Sequence, residues 1–164
     1  MLTGSVASST YGQPRSTLDI DVVIDPTVPQ LRRLIQQFPS SDCYADEQQA
    51  LDALASRRQF NIIDFVSGWK VDFIIVEDSD YGRVAFARRK LMNVTGTPLY
   101  VASPEDVLIA KLRWAKMGAS DRQLQDAAGI MVTQRSSLDS PYIEHWVGQL
   151  DLETQWQVVR DTPA

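Results

Sequence analysis

Asp19 and Asp21 are separated by one apolar residue, Ile20, in a stretch, 18–24, that otherwise contains only leucine, isoleucine and valine. A strand alternates its side chains with period two, so the two carboxylates fall on one face about 6.5 Å apart along the chain, while Ile20, Val22 and Ile24 fall on the other. Like charges this close repel unless a cation compensates them, and paired carboxylates are the oxygen donors that a hard divalent cation needs. A third acid, Asp72, lies inside a second apolar run, 71–76. There Val71, Phe73 and Ile75 share one face and Lys70, Asp72 and Ile74 the other. Pairing this run beside the first would bring Asp72 to the surface that carries Asp19 and Asp21. Upstream, Gly4 and Ser5 precede a short helical stretch. A glycine there lets the backbone approach a phosphate, the helix start offers amides, and the serine adds a hydroxyl donor. Acids and turn together point to a site that handles phosphates through a divalent cation.

The elements that must position these residues alternate between strand-like and helix-like in the first half of the chain and are mostly helical in the second. The fold class this implies is mixed α/β, a mixed sheet flanked by helices with a helical C-terminal part. A helix over 6–11 leads into a polar loop with Gly12, Pro14 and Arg15, then the strand 18–24. Pro26 and Pro29 mark a turn, and Pro29 suits the start of a helix reaching Phe38. A helix follows over 46–56. Runs 60–66 and 70–76 flank Ser67, Gly68 and Trp69 as a hairpin. A helix over 81–89 and short strands near 91–94 and 99–101 complete a core spanning 1–102. The remainder, 103–164, is expected to pack on that core as helices within one compact unit. Ser103-Pro104-Glu105-Asp106 opens one helix and Ser120-Asp121-Arg122-Gln123, with the form of a capping box, opens the next. Final helices are expected over 141–150 and 153–160, with Trp146 and Trp156 as packing residues.

Composition narrows the chemistry. The 164 residues are 44% hydrophobic and 23% charged, as in an ordinary globular protein. No apolar stretch approaches the roughly 18 residues of a membrane helix, and residues 1–11 lack the positive charge and continuous apolar block of a signal peptide. A cytoplasmic protein with no membrane partner is expected. Cys43 is the only cysteine and His145 the only histidine, which removes intrachain disulfides and cysteine-based zinc sites. His145 stands beside Trp146, far along the chain from the acids, and reads as a helix-surface residue rather than a member of a Ser-His-Asp or Cys-His mechanism. The net charge is −5, of which residues 136–164, with five acids against one base, hold −4. The bases Arg83, Arg88, Arg89 and Lys90, and then Lys111, Arg113, Lys116 and Arg122, read as solvated helix faces. This balance neither requires nor forbids a nucleic-acid partner.

Gly4-Ser5, a gap of about a dozen residues, and Asp19-Ile20-Asp21-Val22 resemble the hallmark of the nucleotidyltransferase superfamily, which has the DNA polymerase beta-like fold. Thr3 stands where that family prefers an apolar residue. Pro14-Arg15-Ser16-Thr17 before the acids, and Pro104-Glu105-Asp106 with Lys111, Arg122 and Asp126 after them, look like the small nucleotidyltransferases of the abortive-infection and toxin-antitoxin branch. The resemblance covers roughly residues 2–132. It implies that Asp19 and Asp21 hold Mg²⁺ or Mn²⁺, with Asp72 as third ligand and base, and that these three are the catalytic residues. Gly4 and Ser5 would hold the triphosphate of an NTP, with Arg15 or Lys111 compensating its charge. The reaction implied moves a nucleoside monophosphate to a hydroxyl of RNA, tRNA included, of a protein or of a small molecule, and releases pyrophosphate. A cognate antitoxin is the implied protein partner. Family members carry a helix and a full strand ahead of the glycine, whereas three residues precede it here. The strand leading into the turn is therefore expected to be short.

The residues themselves leave other readings open. Lys111 lies beside Leu108, Leu112 and Ala115 on a helical wheel and could snorkel from the core edge. Arg122 and Asp126 have the spacing of an exposed helical ion pair. The same fold could serve as a catalytically inactive nucleotide- or partner-binding module, and the same acids could serve a metal-dependent phosphodiester hydrolase.

Overall fold

The computed structural model describes residues 1–13, 16–118 and 120–162. A seven-stranded mixed sheet forms the centre, in the order β3-β4-β5-β2-β1-β7-β6. Its strands are β1 (Leu2–Thr3), β2 (Asp19–Ile24), β3 (Cys43–Tyr44), β4 (Gln59–Asp64), β5 (Lys70–Ile75), β6 (Lys90–Val94) and β7 (Thr97–Val101). Among the described residues there are eight helices: α1 (Gly4–Tyr11), α2 (Val28–Ile35), α3 (Glu47–Ser56), α4 (Asp80–Ala87), α5 (Pro104–Gly118), α6 (Asp121–Gln134), α7 (Ser140–Gln149) and α8 (Glu153–Arg160). None is long and apolar enough to cross a membrane.

The register assigns the two faces of the sheet. β2 and β5 pair in parallel, with Ile20 opposite Val71, Val22 opposite Phe73 and Ile24 opposite Ile75. Val22, Ile24, Val71, Phe73 and Ile75, with Phe60 and Ile62 of β4, pack with Leu31 and Ile35 of α2 and Ala50 and Ala53 of α3, while Ile20 packs against a second cluster. Phe60 and Phe73, cross-strand partners, stack with ring centroids 5.2 Å apart, which adds to their area burial. On the same face Leu2 lies opposite both Val22 and Val101. Leu2 and Val101 belong to that second cluster, which reaches Leu108 and Leu112 of α5, Ile143 and Trp146 of α7, and Trp156 of α8. Both tryptophans are buried packing residues, as their place in the pattern suggests.

Local signals explain most element boundaries. Asp46 caps α3 by accepting from the Gln49 amide at 2.9 Å, and Ser79 caps α4 by accepting from the Gly82 amide at 3.0 Å. The Gln30 side chain of α2 accepts from the Thr27 amide at 2.8 Å. The capping box expected at Ser120 does not form through side chains. Ser120 caps α6 without a side-chain bond, its carbonyl receiving the Gln123 amide, while Gln123 Oε1 is buried without a partner. The two-residue strand β3, paired with β4 through Cys43 and Asp64, has no counterpart in the sequence reading because two residues carry no periodicity.

The start of α5 anchors the helix that carries Lys111. Ser103 Oγ accepts from the Asp106 amide at 3.2 Å and donates to the Asp106 carboxylate at 2.7 Å. The Tyr142 hydroxyl donates to the other oxygen of that carboxylate at 2.7 Å. The Arg88 guanidinium bonds Glu105 at 3.0 Å and stacks over the Tyr142 ring at 3.8 Å. Ser103, Glu105 and Asp106 are buried, so each polar group removed leaves its partner uncompensated. Burial and the bond to Asp106 push the Tyr142 phenol far above its ordinary pKa, so it stays a donor at all working pH. Tyr142→Phe is expected to lower the free energy of unfolding by about 1–3 kcal/mol, measured by urea titration at pH 7, without changing the urea slope.

Candidate functional site

Thr3 ends β1 in extended conformation, and the chain turns directly into α1 at Gly4, whose φ is +61°. An L side chain rarely adopts that angle. Space forbids one as well, since a Cβ on Gly4 would lie 1.8 Å from Asp21 Oδ2. Gly4 is therefore required both by the turn and by the carboxylate seated against it. Antiparallel pairing sets Thr3 opposite Asp21, which is what brings the start of α1 over the acid. β1 lies inside the sheet, between β2 and β7.

Asp21 and Asp72 are direct partners across the parallel pair β2–β5, and Asp19 is partnered by Lys70. Directly paired residues share a face, and residues two apart on one strand share it too. Asp19, Asp21, Lys70 and Asp72 therefore stand on the face opposite the apolar partners Val22 and Phe73. The Lys70 ammonium lies 2.8 Å from Asp72 Oδ2 and 3.5 Å from Asp19 Oδ1. Asp19 is largely exposed and Asp72 largely buried, with side-chain accessibilities of 57% and 12%.

The electrostatics follow from this placement. Burial first, and then the neighbouring Asp72, hold the Asp21 carboxyl above its ordinary pKa; Asp19 adds to the rise, while the Ser5 backbone amide and the Lys111 charge oppose it. The hydrogen bond to Asp72 is the main cause that raises Lys70 above its ordinary value, with burial opposing it and the charges of Asp72 and Asp19 reinforcing it.

Lys111 is buried in α5 and donates to Asp126 Oδ2 on α6 at 2.7 Å. Its ammonium does not snorkel to solvent, and Asp126, whose spacing from Arg122 suits a helical ion pair, receives a cation from the neighbouring helix. Lys111 still acts on the acids, because its charge is felt at Asp21. Arg15 lies outside the described residues. His145 is exposed on α7, edge-on to Trp146 and far from the acids in sequence.

Among the described residues no group of three or more His, Cys, Asp and Glu side chains is assembled to hold a metal ion as it stands. The donor types nevertheless fit a hard divalent cation. Carboxylates occupy adjacent register positions on two strands, with Asp21 partly buried directly beside Asp72. Asp19 and Asp72 are instead turned to Lys70, and Asp21 to the start of α1. Lys70 is the residue that sequence reasoning missed. Its position on the acid face was legible from the period-two pattern, but a lysine on a strand gives no sign that it will bridge two acids.

No protein-family model matches this chain, and no curated protein matches it. Among solved structures it is similar to the crystal structure of an antigenic nucleotidyltransferase-like protein from Paracoccidioides brasiliensis, with 16% identity, a TM-score of 0.48, and coverage of 96% of this chain and 83% of that one.

Two outcomes follow from the geometry. Gly4→Ala is expected to destabilise the protein by about 2 kcal/mol or more, from left-handed strain of roughly 1–2 kcal/mol plus the clash. Part of that loss should disappear in an Asp21→Ala background, because Asp21 supplies the clashing atoms; additive losses in a double-mutant cycle would contradict the contact. The second concerns pH. A carboxyl whose pKa is higher folded than unfolded subtracts stability as pH rises through the ordinary carboxylate range, and the deficit is complete above the folded value. Asp21→Asn should therefore melt higher than the natural protein at pH 7, with the gap closing as pH falls below the ordinary carboxylate range.

Proposed function

We propose that this chain is a divalent-metal-dependent nucleotidyltransferase that moves a nucleoside monophosphate from an NTP to an acceptor hydroxyl. The observation that carries this reading is the in-register placement of Asp21 beside Asp72, with Asp19 one pleat away, where Gly4 and Ser5 begin a helix. Acids alone on a strand face would need no such turn. A phosphate site alone would not tolerate three carboxylates without a cation.

In this reading Asp19 and Asp21 hold Mg²⁺ or Mn²⁺, and Asp72 is the further ligand. When bound, the metal supplies positive charge against the triphosphate and lowers the pKa of the acceptor hydroxyl. Gly4 presents bare backbone to the phosphates, and Ser5 adds its hydroxyl. Lys111, held by Asp126, contributes fixed positive charge at short range. Asp72 accepts the acceptor's proton as its oxygen forms a bond to the α-phosphorus, and the bond from that phosphorus to the bridging oxygen breaks to release pyrophosphate. Such a substrate places the reaction in the cytoplasm. The resemblance of the segment from Pro104 to Asp126 to toxin nucleotidyltransferases supports an RNA or protein acceptor and a cognate antitoxin as partner.

The test is incorporation of label from each α-labelled NTP into total RNA or protein extract with Mg²⁺ or Mn²⁺. The natural sequence should transfer label from at least one NTP. Asp19→Asn with Asp21→Asn should reduce transfer by on the order of a hundredfold or more, as expected for losing several kcal/mol of charge stabilisation, while leaving the urea melt no lower. Nucleotide binding without incorporation would establish the inactive binding module instead, and release of a nucleoside monophosphate to water would favour the hydrolase.

A further inference from the structure

Lys70 opens β5 on the same face as Asp72, and its register partner on β2 is Asp19. From this position its ammonium reaches Asp72 Oδ2 at 2.8 Å and Asp19 Oδ1 at 3.5 Å. A divalent cation held by these two acids needs oxygens at about 2.0–2.6 Å, and so would stand between the same atoms. An ammonium and a divalent ion cannot share that space, since their charges repel and Asp72 Oδ2 and Asp19 Oδ1 already face the ammonium. Release of the lysine is mechanically simple. The stem has four flexible carbons and the head is a single hydrated charge, the side chain is 35% exposed, and the preceding residues, from Phe65 to Trp69, are exposed turn.

Resting on the proposed metal site, we infer that Lys70 is the site's internal counter-ion. It occupies the cation position between Asp19 and Asp72 in the metal-free protein, and metal loading is an exchange in which the ammonium leaves as the divalent ion enters. Lys70 is thus a positioning residue that sets metal affinity, because each binding event must first break its two ion pairs. It protects the folded protein from carboxylate repulsion when no metal is present, and it holds the affinity of the empty site down.

The experiment titrates the full chain with Mn²⁺ and reads free ion by electron paramagnetic resonance, for the natural sequence, Lys70→Met, Lys70→Arg and Asp19→Asn with Asp21→Asn. Methionine keeps the length of the stem and removes the competing charge, so its affinity for Mn²⁺ should rise about tenfold or more while its metal-free melting temperature falls. Arginine offers a two-pronged donor to the same carboxylates and should bind Mn²⁺ more weakly than lysine does. Affinity in Lys70→Met equal to or below that of the natural sequence would overturn the exchange. Should Lys70→Met fail to fold, equal or tighter binding by Lys70→Arg overturns it in the same way. If the natural sequence binds Mn²⁺ and the double asparagine variant does not, the metal site stands and the lysine comparison is decisive. Binding by none of the four would remove the metal site and the exchange together.

Discussion

Three carboxylates on one face of two neighbouring strands impose a cost that the apolar core on the other side cannot offset, because it arises where the core does not reach. Two unit charges about 5 Å apart repel by about 3 kcal/mol at an effective dielectric near 20, a large share of the stability of a domain this size. Every polar feature around the acids answers that cost. The Ser5 amide and the Lys111 charge draw on Asp21, and the Lys70 ammonium joins Asp72 to Asp19. Burial, with the charge of Asp72 second, still holds the Asp21 carboxyl above its ordinary value.

The remainder of the fold holds that surface still. β2 and β5 are regular strands locked over six register pairs, and the opposite face is filled by Phe60, Phe73, Ile62 and Ile75 under α2 and α3. Functional groups on regular elements keep their geometry better than groups on loops. The same chain turn that ends β1 starts α1, so the position of Gly4 over Asp21 is fixed by one antiparallel pairing. On the far side, the buried polar network of Ser103, Asp106, Tyr142, Arg88 and Glu105 fixes the start of α5, and through α5 it fixes Lys111. A polar network this deep contributes position more than net stability, since a buried ion pair gives back in attraction much of what its desolvation costs.

Much of this was legible in the residues. The period-two pattern of 18–24 and 70–76 placed Asp19, Asp21 and Asp72 on one face, and the structure reproduces that sharing through parallel register. The hairpin around Gly68, the pair of short strands before Ser103 and the final helix Glu153–Arg160 follow from local pattern and turn chemistry. What escaped depends on contacts between distant elements. Helix α1 begins at Gly4 rather than Val6 because pairing of Thr3 with Asp21 forces the turn. Lys111 looked like a residue at the edge of the core, but α6 packs over it and supplies Asp126. Lys70 carried no local sign of its role, which exists only because Asp19 lies across the strand pair. At Ser120 a capping sequence is present without its side-chain bonds, which shows that composition at a helix start permits a cap without compelling it.

The central claim is that the face shared by Asp19, Asp21 and Asp72 holds a divalent cation together with a nucleotide. Crystals grown with Mn²⁺ and a non-hydrolysable NTP, measured for anomalous scattering at the manganese edge, test it most directly. The claim predicts an anomalous peak within coordination distance of Asp19 and Asp21, phosphate density over Gly4 and Ser5, and the Lys70 ammonium withdrawn from between Asp19 and Asp72. Nucleotide and manganese bound elsewhere, with Lys70 still joining the two acids, would contradict it.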